Sequence, residues 1–239
     1  MKIALLTANI GGIDRVVPPV PQVSGGTECG DAMASTQACH DASEMRCDYY
    51  CFTEKNLPYP LPHLSGRLQA RYIKILTHRF LPDYDAYVWM DGRVAITHER
   101  FVADMVDKLG AGEVVMVKHH QRCNVYEEID FIIQRIKDGD EYLVKRYEHE
   151  PFDEERRFYV LEGLPKEVPL YSSAVFARRN EPRLNSVFDD WWLRSLEFSL
   201  FDQAMFSFVA WKHKLALVEL DSRDLYDKSL VGHRHIANV

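Results

Sequence analysis

The chain has 239 residues, with 29 Lys and Arg against 36 Asp and Glu, for a formal charge of −7. Its length fits one large domain or two small ones, and its apolar fraction of 46% is enough for a real core. The acidic balance disfavours nonspecific nucleic-acid binding, and no apolar run approaches membrane-spanning length.

Met1 to Leu6 is too short for a signal h-region, and Asn9-Ile10-Gly11-Gly12 follows without a cleavage-site pattern. Lys2 to Ala8 therefore reads as a buried first strand. Residues 17 to 46, rich in Pro, Gly, Ser and Thr, read as a long loop or insertion. Asp48 to Thr53 reads as a second strand, and Arg67 to Phe80 as a helix ended by Leu81-Pro82. Ala86 to Met90 is an apolar strand, His98 to Leu109 a helix and Glu113 to Val117 another strand. Tyr126 to Ile136 has helical spacing, and the charged stretch 139 to 160 reads as a solvated helical segment. Ser173 to Ala177 and Leu215 to Leu220 read as strands, Arg183 to Phe198 and Phe201 to Trp211 as helices. Trp191-Trp192 is expected in the core. Strands alternating with helices predict an α/β protein with a mainly parallel central sheet flanked by helices. In such sheets the ligand sits at the carboxyl ends of the strands, where Asn9, Asp91 and Lys118-His119-His120 fall.

Five cysteines, Cys29, Cys39, Cys47, Cys51 and Cys123, lack the spacing of a paired zinc site. Reduced thiols in a cytoplasmic protein are the expectation.

Asp91 ends the apolar strand Ala86 to Met90. A strand-end carboxylate can hold a hard cation on a diphosphate, and Asp91-Gly92 can equally be a plain turn. Asp83-Tyr84-Asp85 spells an Asp-x-Asp but precedes the strand, so it belongs to a turn at the opposite edge of the sheet. Arg67, Arg71 and Lys74 are spaced to share one helical face, as a phosphate clamp or as a solvated basic surface. Lys118-His119-His120 and Arg122, followed by Tyr126-Glu127-Glu128, form a polar cluster past a buried strand. Asp202-Gln203 opens a helix, where Asp202 is either a cap or a crevice residue. His233 and His235 are either a metal ligand or tail residues.

The ordered series Thr7-Ala8-Asn9-Ile10-Gly11-Gly12-Ile13-Asp14, Asp48 to Thr53, Arg67 to Lys74, Leu81 to Asp85 and Trp89-Met90-Asp91-Gly92 resembles a glycosyltransferase-like family long catalogued as a domain of unknown function. Lys118-His119, Arg122-Cys123-x-x-Tyr126-Glu127-Glu128 and Asp202-Gln203 resemble its later blocks. The resemblance covers roughly residues 2 to 212. Its broader kin are GT-A type glycosyltransferases, which implies a GT-A-like, Rossmann-like single domain over residues 1–239. In that reading residues 1–120 are the nucleotide-binding half, and 121–239 the acceptor-side half and tail.

The resemblance implies a hexosyl- or pentosyltransferase that uses a UDP- or GDP-sugar and an unknown acceptor glycan, lipid or other molecule. Thr7, Ala8 and Asn9 would border the base. Arg67, Arg71, Lys74, Asp91, Gly92, Arg93 and His119 would bind the donor, and Asp202 and Gln203 would lie beside the reacting sugar. Asp91 with His233 or His235 would hold Mn²⁺ or Mg²⁺. Arg93 stands where the second acid of the usual metal motif falls, and it can instead serve as a fixed cation. Two other readings remain. One is a metal-dependent hydrolase built on His119, His120, His233, His235 and Asp91. The other is a noncatalytic nucleotide- or sugar-binding module.

Overall fold

The computed structural model of the protein describes residues 1–12, 14, 16, 35–37, 45–223, 225 and 230–232. In chain order the elements are β1 (Lys2–Ala8), β2 (Ser35–Gln37), β3 (Arg46–Phe52), α1 (Gly66–Ile75), β4 (Ala86–Met90), β5 (Val94–Ile96), α2 (Phe101–Lys108) and β6 (Val114–Lys118). They continue as α3 (Val125–Lys137), α4 (Glu141–Tyr147), α5 (Phe152–Leu161), β7 (Tyr171–Arg179), α6 (Pro182–Glu197), α7 (Asp202–Lys212), β8 (Leu217–Leu220) and β9 (Leu230–Gly232). The strands β1 and β4 have the expected bounds because each is a continuous apolar run, buried at nearly every position. The helix predicted to reach Phe80 ends its α-turns at Ile75 and continues as a 3-10 turn, Thr77–Arg79.

Seven strands form one sheet in the order β2-β3-β1-β4-β7-β6-β8. β1 pairs in parallel with β3 and β4, and β6 with β8. β7 runs antiparallel between β4 and β6, and β2 is antiparallel at the edge. The expected α/β architecture with a mainly parallel sheet is thus present, with one reversed strand in its middle. Because β7 is reversed, its first residues lie at the same sheet edge as the last residues of β1, β4 and β6. The β6–β7 register shifts between Met116 and Val117, which leaves Ser173 to Val175 outside the regular ladder.

Alternation along β1 divides the core between the two faces of the sheet. Ala4 and Leu6 pack with residues of α1, α3, α5, α6 and α7, including Ile73, Ile129, Tyr159, Trp191 and Phe206. Ile3 and Leu5 pack with Val88 and Met90 and with Phe101 and Met105 of α2. Trp191 and Trp192 are core residues, as expected.

Three expectations need correction. The stretch 139 to 160 is helical, as expected, but only partly solvated, because α4 and α5 bury Tyr147, Phe152, Glu155 and Tyr159. The polar tail contributes β9, which pairs antiparallel with β5 just after Arg93 and sets Gly232 opposite Val94. Cys51 is disulfide-bonded, whereas Cys123 is a free thiol. Among the described residues no helix is long and apolar enough to cross a membrane.

Candidate active site

The Ser65 side chain caps α1 by accepting from Leu68 N. The cations on that helix do not face water. Arg71 is 8% exposed and Lys74 5%, because the face that carries them turns toward the sheet edge. Lys74 Nζ lies 2.7 Å from Asp202 Oδ2, 2.9 Å from Ser173 Oγ and 3.5 Å from Asp91 Oδ1. Arg71 adds a contact to Asp202 Oδ1 at 3.5 Å.

Asp202 is the first residue of α7, yet its side chain caps nothing there. Burial pushes its carboxyl up, but Lys74 and Arg71 outweigh this and hold it well below the usual carboxylate range. It is therefore an anion at all ordinary pH values. Gln203 donates to Glu128 Oε1 at 3.1 Å, and Glu128, itself 3% exposed, is ion-paired with Arg122.

Asp91 is held from behind. Its backbone N–H donates to Ala174 O at 2.8 Å, and the Trp89 indole N–H donates to its Oδ1 at 2.8 Å. Gly92 is needed for space, since a Cβ there would lie 2.8 Å from Asp14 Oδ2 and 3.2 Å from Ala8 O. The Asn9 side chain closes the next loop, donating to Asp14 O at 2.8 Å and accepting from Asp14 N at 2.9 Å.

These groups line one cavity of about 860 Å³ at the carboxyl edge of the sheet. It gathers Ala8, Asn9, Arg67, Arg71, Lys74, Asp91, Gly92, Arg93, His119, Asp202 and Gln203 from the sequence-predicted site. Thr7 is not among its lining residues. It is fully buried in β1, and its hydroxyl has no hydrogen-bond partner among the described residues. His233 and His235 lie outside the described residues.

The wall also includes Glu128, from the polar cluster past β6, and Asp14, Tyr142, Arg146, Tyr147, Ser173 and Ser222, to which the sequence reading assigned no role. Tyr142 and Arg146 stand one helical turn apart, and that spacing is the one signal that points to them. Among the described residues seven cations line the cavity (Arg67, Arg71, Lys74, Arg93, Arg122, Arg146 and Arg223) against four carboxylates (Asp14, Asp91, Glu128 and Asp202). In a chain of charge −7 this local excess suits an anionic ligand.

The His119 side chain is poorly placed to bind metal. Its Nδ1 accepts from Gln121 N at 3.2 Å and Arg122 N at 3.1 Å, and its Nε2 lies 3.3 Å from an Arg122 nitrogen. Burial, then Arg122 and His120, lower its pKa to about 4, so it is neutral at pH 7. Among the described residues no group of three His, Cys, Asp or Glu side chains is placed to hold a metal ion. Asp91, whose Oδ1 is shared by the Trp89 indole and Lys74, and Asp14 across Gly92 are the carboxylates here that could contribute to a cation shared with substrate phosphates.

The fold and cleft define an α/β protein with a cation-rich cavity at the carboxyl edge of its sheet, the place where such sheets bind ligands. The profile of the TOD1/MUCI70, glycosyltransferase-like domain matches residues 31–225, and the chain belongs to that family. It is a glycosyltransferase-like protein. No significant match to a curated protein was found.

Three solved structures show limited similarity. Mouse xyloside xylosyltransferase 1 in its apo form is 16% identical, with 73% of this chain and 63% of that one covered and a TM-score of 0.42. The WbbM bifunctional glycosyltransferase apo structure is 15% identical, with 72% and 28% covered and a TM-score of 0.41. A197 from STIV is 12% identical, with 93% and 83% covered and a TM-score of 0.38. The chain spans less than two thirds of the first two. At these scores the likeness carries no argument about activity.

Proposed function

We propose that the protein transfers a sugar from a nucleotide-diphosphate sugar, UDP- or GDP-linked, to an acceptor through the cavity at Asp91. The observation that carries this reading is the buried Lys74–Asp202 pair set between Arg71, Ser173 and Asp91 inside a cation-rich cleft. A diphosphate leaving group concentrates negative charge, and fixed cations in a partly desolvated cleft stabilise it as it departs.

In this reading Ala8 and Asn9 border the nucleoside, and Lys74, Arg71 and Arg93 face the diphosphate. Asp202 cannot donate a proton, because its cationic neighbours keep it ionised. It holds Lys74 in place and supplies negative charge near the anomeric carbon as positive charge develops there. Glu128 orients Gln203 toward the sugar. Asp91 would hold Mn²⁺ or Mg²⁺, which supplies Lewis-acid neutralisation of the diphosphate when bound. Gly232 opposite Val94 supports a contribution from His233 or His235 to the same site.

Donor hydrolysis across a panel of UDP- and GDP-sugars, with nucleotide binding measured with Mn²⁺ and with EDTA, tests this. Release of nucleotide from one donor class is expected. Absence of nucleotide binding under both conditions sinks the proposal. Binding without turnover favours a noncatalytic module instead.

A further inference from the structure

The row of cations on α1 becomes less matched along its length. Lys74 has two carboxylates within ion-pair distance, and Arg71 shares one of them. Arg67 lies seven residues earlier, about 10 Å along the helix at 1.5 Å per residue. Among the described residues it has a single carboxylate, Glu150, at 3.5 Å, and it donates to the Arg146 carbonyl at 2.8 Å. Its Nε and one terminal nitrogen are buried without a hydrogen-bond acceptor. Buried donors of this kind are costly unless a partner arrives.

Arg146 of α4 stands beside it. Among the described residues no carboxylate is within ion-pair distance of Arg146. Its guanidinium sits 5.6 Å from the Tyr142 ring and 5.7 Å from the Tyr147 ring. The Arg67 guanidinium lies 4.8 Å from the same Tyr147 ring. All four side chains line the cavity, and Tyr142 is 43% exposed. Burial, and then Arg71, push the Arg67 pKa down, which is the strain expected of a guanidinium crowded by like charge. An arriving anion offsets the like charge and supplies the missing acceptors, and a fork of two guanidinia suits a carboxylate or phosphate. The pair stands at the α4 end of the cavity, about two turns of α1 away from Lys74.

We infer that the α4 end of the cavity takes an acceptor sugar that bears an anionic group, with Arg67 and Arg146 on the carboxylate or phosphate and Tyr142 under the ring. This rests on the glycosyltransferase reading above.

The test is a glycan array bearing matched neutral, carboxylated and phosphorylated sugars, probed at about 0.15 M salt with the full chain loaded with nucleotide. Retention is expected on anionic glycans and not on their neutral counterparts, and the carboxylated and phosphorylated spots decide between the two groups. Arg146→Gln and Arg67→Gln are each expected to lower retention at least tenfold. Lys145→Gln removes the same charge from the exposed side of α4 and is expected to leave retention unchanged.

Equal or stronger retention of neutral glycans overturns the inference. So does unchanged retention by Arg146→Gln, or no retention of any anionic glycan. Nucleotide affinity of the parent protein is measured separately, so failure of the donor reading is seen as loss of that signal. If Arg146→Gln weakens nucleotide binding and spares glycan retention, the pair belongs to the donor and the inference fails.

Discussion

Lys74 Nζ sits 2.7 Å from Asp202 Oδ2, joining the third turn of α1 to the first residue of α7. The two residues are 128 positions apart in the chain. Both side chains are largely withdrawn from water, at 6% and 14% exposure. Removing one partner from such a pair costs more than removing both, because it leaves a buried charge unmatched.

Lys74→Met is therefore expected to lower stability by about 3–5 kcal/mol. The double variant Lys74→Met, Asp202→Leu should recover most of that loss, as read from urea denaturation midpoints. If the double variant is as unstable as the sum of the singles, the pair is not coupled. The carboxyl of Asp202 is depressed in the fold, so its contribution is present above the ordinary carboxylate pKa. It is lost only as pH falls through the lower folded value. Stability from this pair should thus hold through mildly acidic pH, and Asp202→Asn should remove that contribution.

Glu155 behaves in the opposite sense. It is fully buried and accepts from the Tyr159 hydroxyl and from Ser199 N. Burial raises its pKa from 4.5 to about 7 despite these bonds. The folded state then binds a proton that the unfolded state has released between those two values, so stability falls as pH rises from about 4.5 to about 7 and levels off above. Glu155→Gln should flatten this slope. Chemical denaturation at pH 5 and pH 8 measures it, and an unchanged slope in the variant would show that another group is responsible.

Gly92→Ala places a methyl carbon 2.8 Å from Asp14 Oδ2 and 3.2 Å from the Ala8 carbonyl oxygen. The side chain can move, but the carbonyl belongs to β1. A loss of about 1–3 kcal/mol is expected from overpacking. Weaker nucleotide binding should accompany it, because Ala8, Asp14 and Asp91 line the same wall. Calorimetric melting with nucleotide titration separates the two effects.

Arg93→Asp restores a second acid beside Asp91 and removes a cation. On the proposed mechanism nucleotide affinity should drop about tenfold in EDTA, roughly 1.4 kcal/mol, and recover with Mn²⁺. Equal affinity under both conditions would place Arg93 away from the diphosphate.

The legible parts of this protein were those written in contiguous residues. The strands β1 and β4 are uninterrupted apolar runs, so their bounds could be read directly. The inward cations of α1 could be read only as a face, since nothing local says whether that face meets water or Asp202. The α4–α5 stretch looked solvated because its charges outnumber its apolar residues, yet Tyr147, Phe152 and Tyr159 go into the core. Pairing of β5 with β9 joins short segments with no alternation long enough to announce a strand. Thr7 reads as a site residue from its place near the end of β1, but the strand's alternation turns its hydroxyl into the interior.

The reversed direction of β7 has a consequence for how this site tolerates change. Ser173 reaches Lys74 from the beginning of a strand, next to the register shift against β6. Its position is set by its chain neighbours, since Ala174 O accepts from Asp91 N and Ser172 pairs with Val117 of β6. Insertions at the exposed residues 165–167, between the buried anchors Leu164 and Leu170, would alter a surface connection and leave that hydroxyl where it is. The variable and the fixed portions of the cleft are therefore physically uncoupled here. New specificity can accumulate in the connecting segments without disturbing the cation that the serine orients.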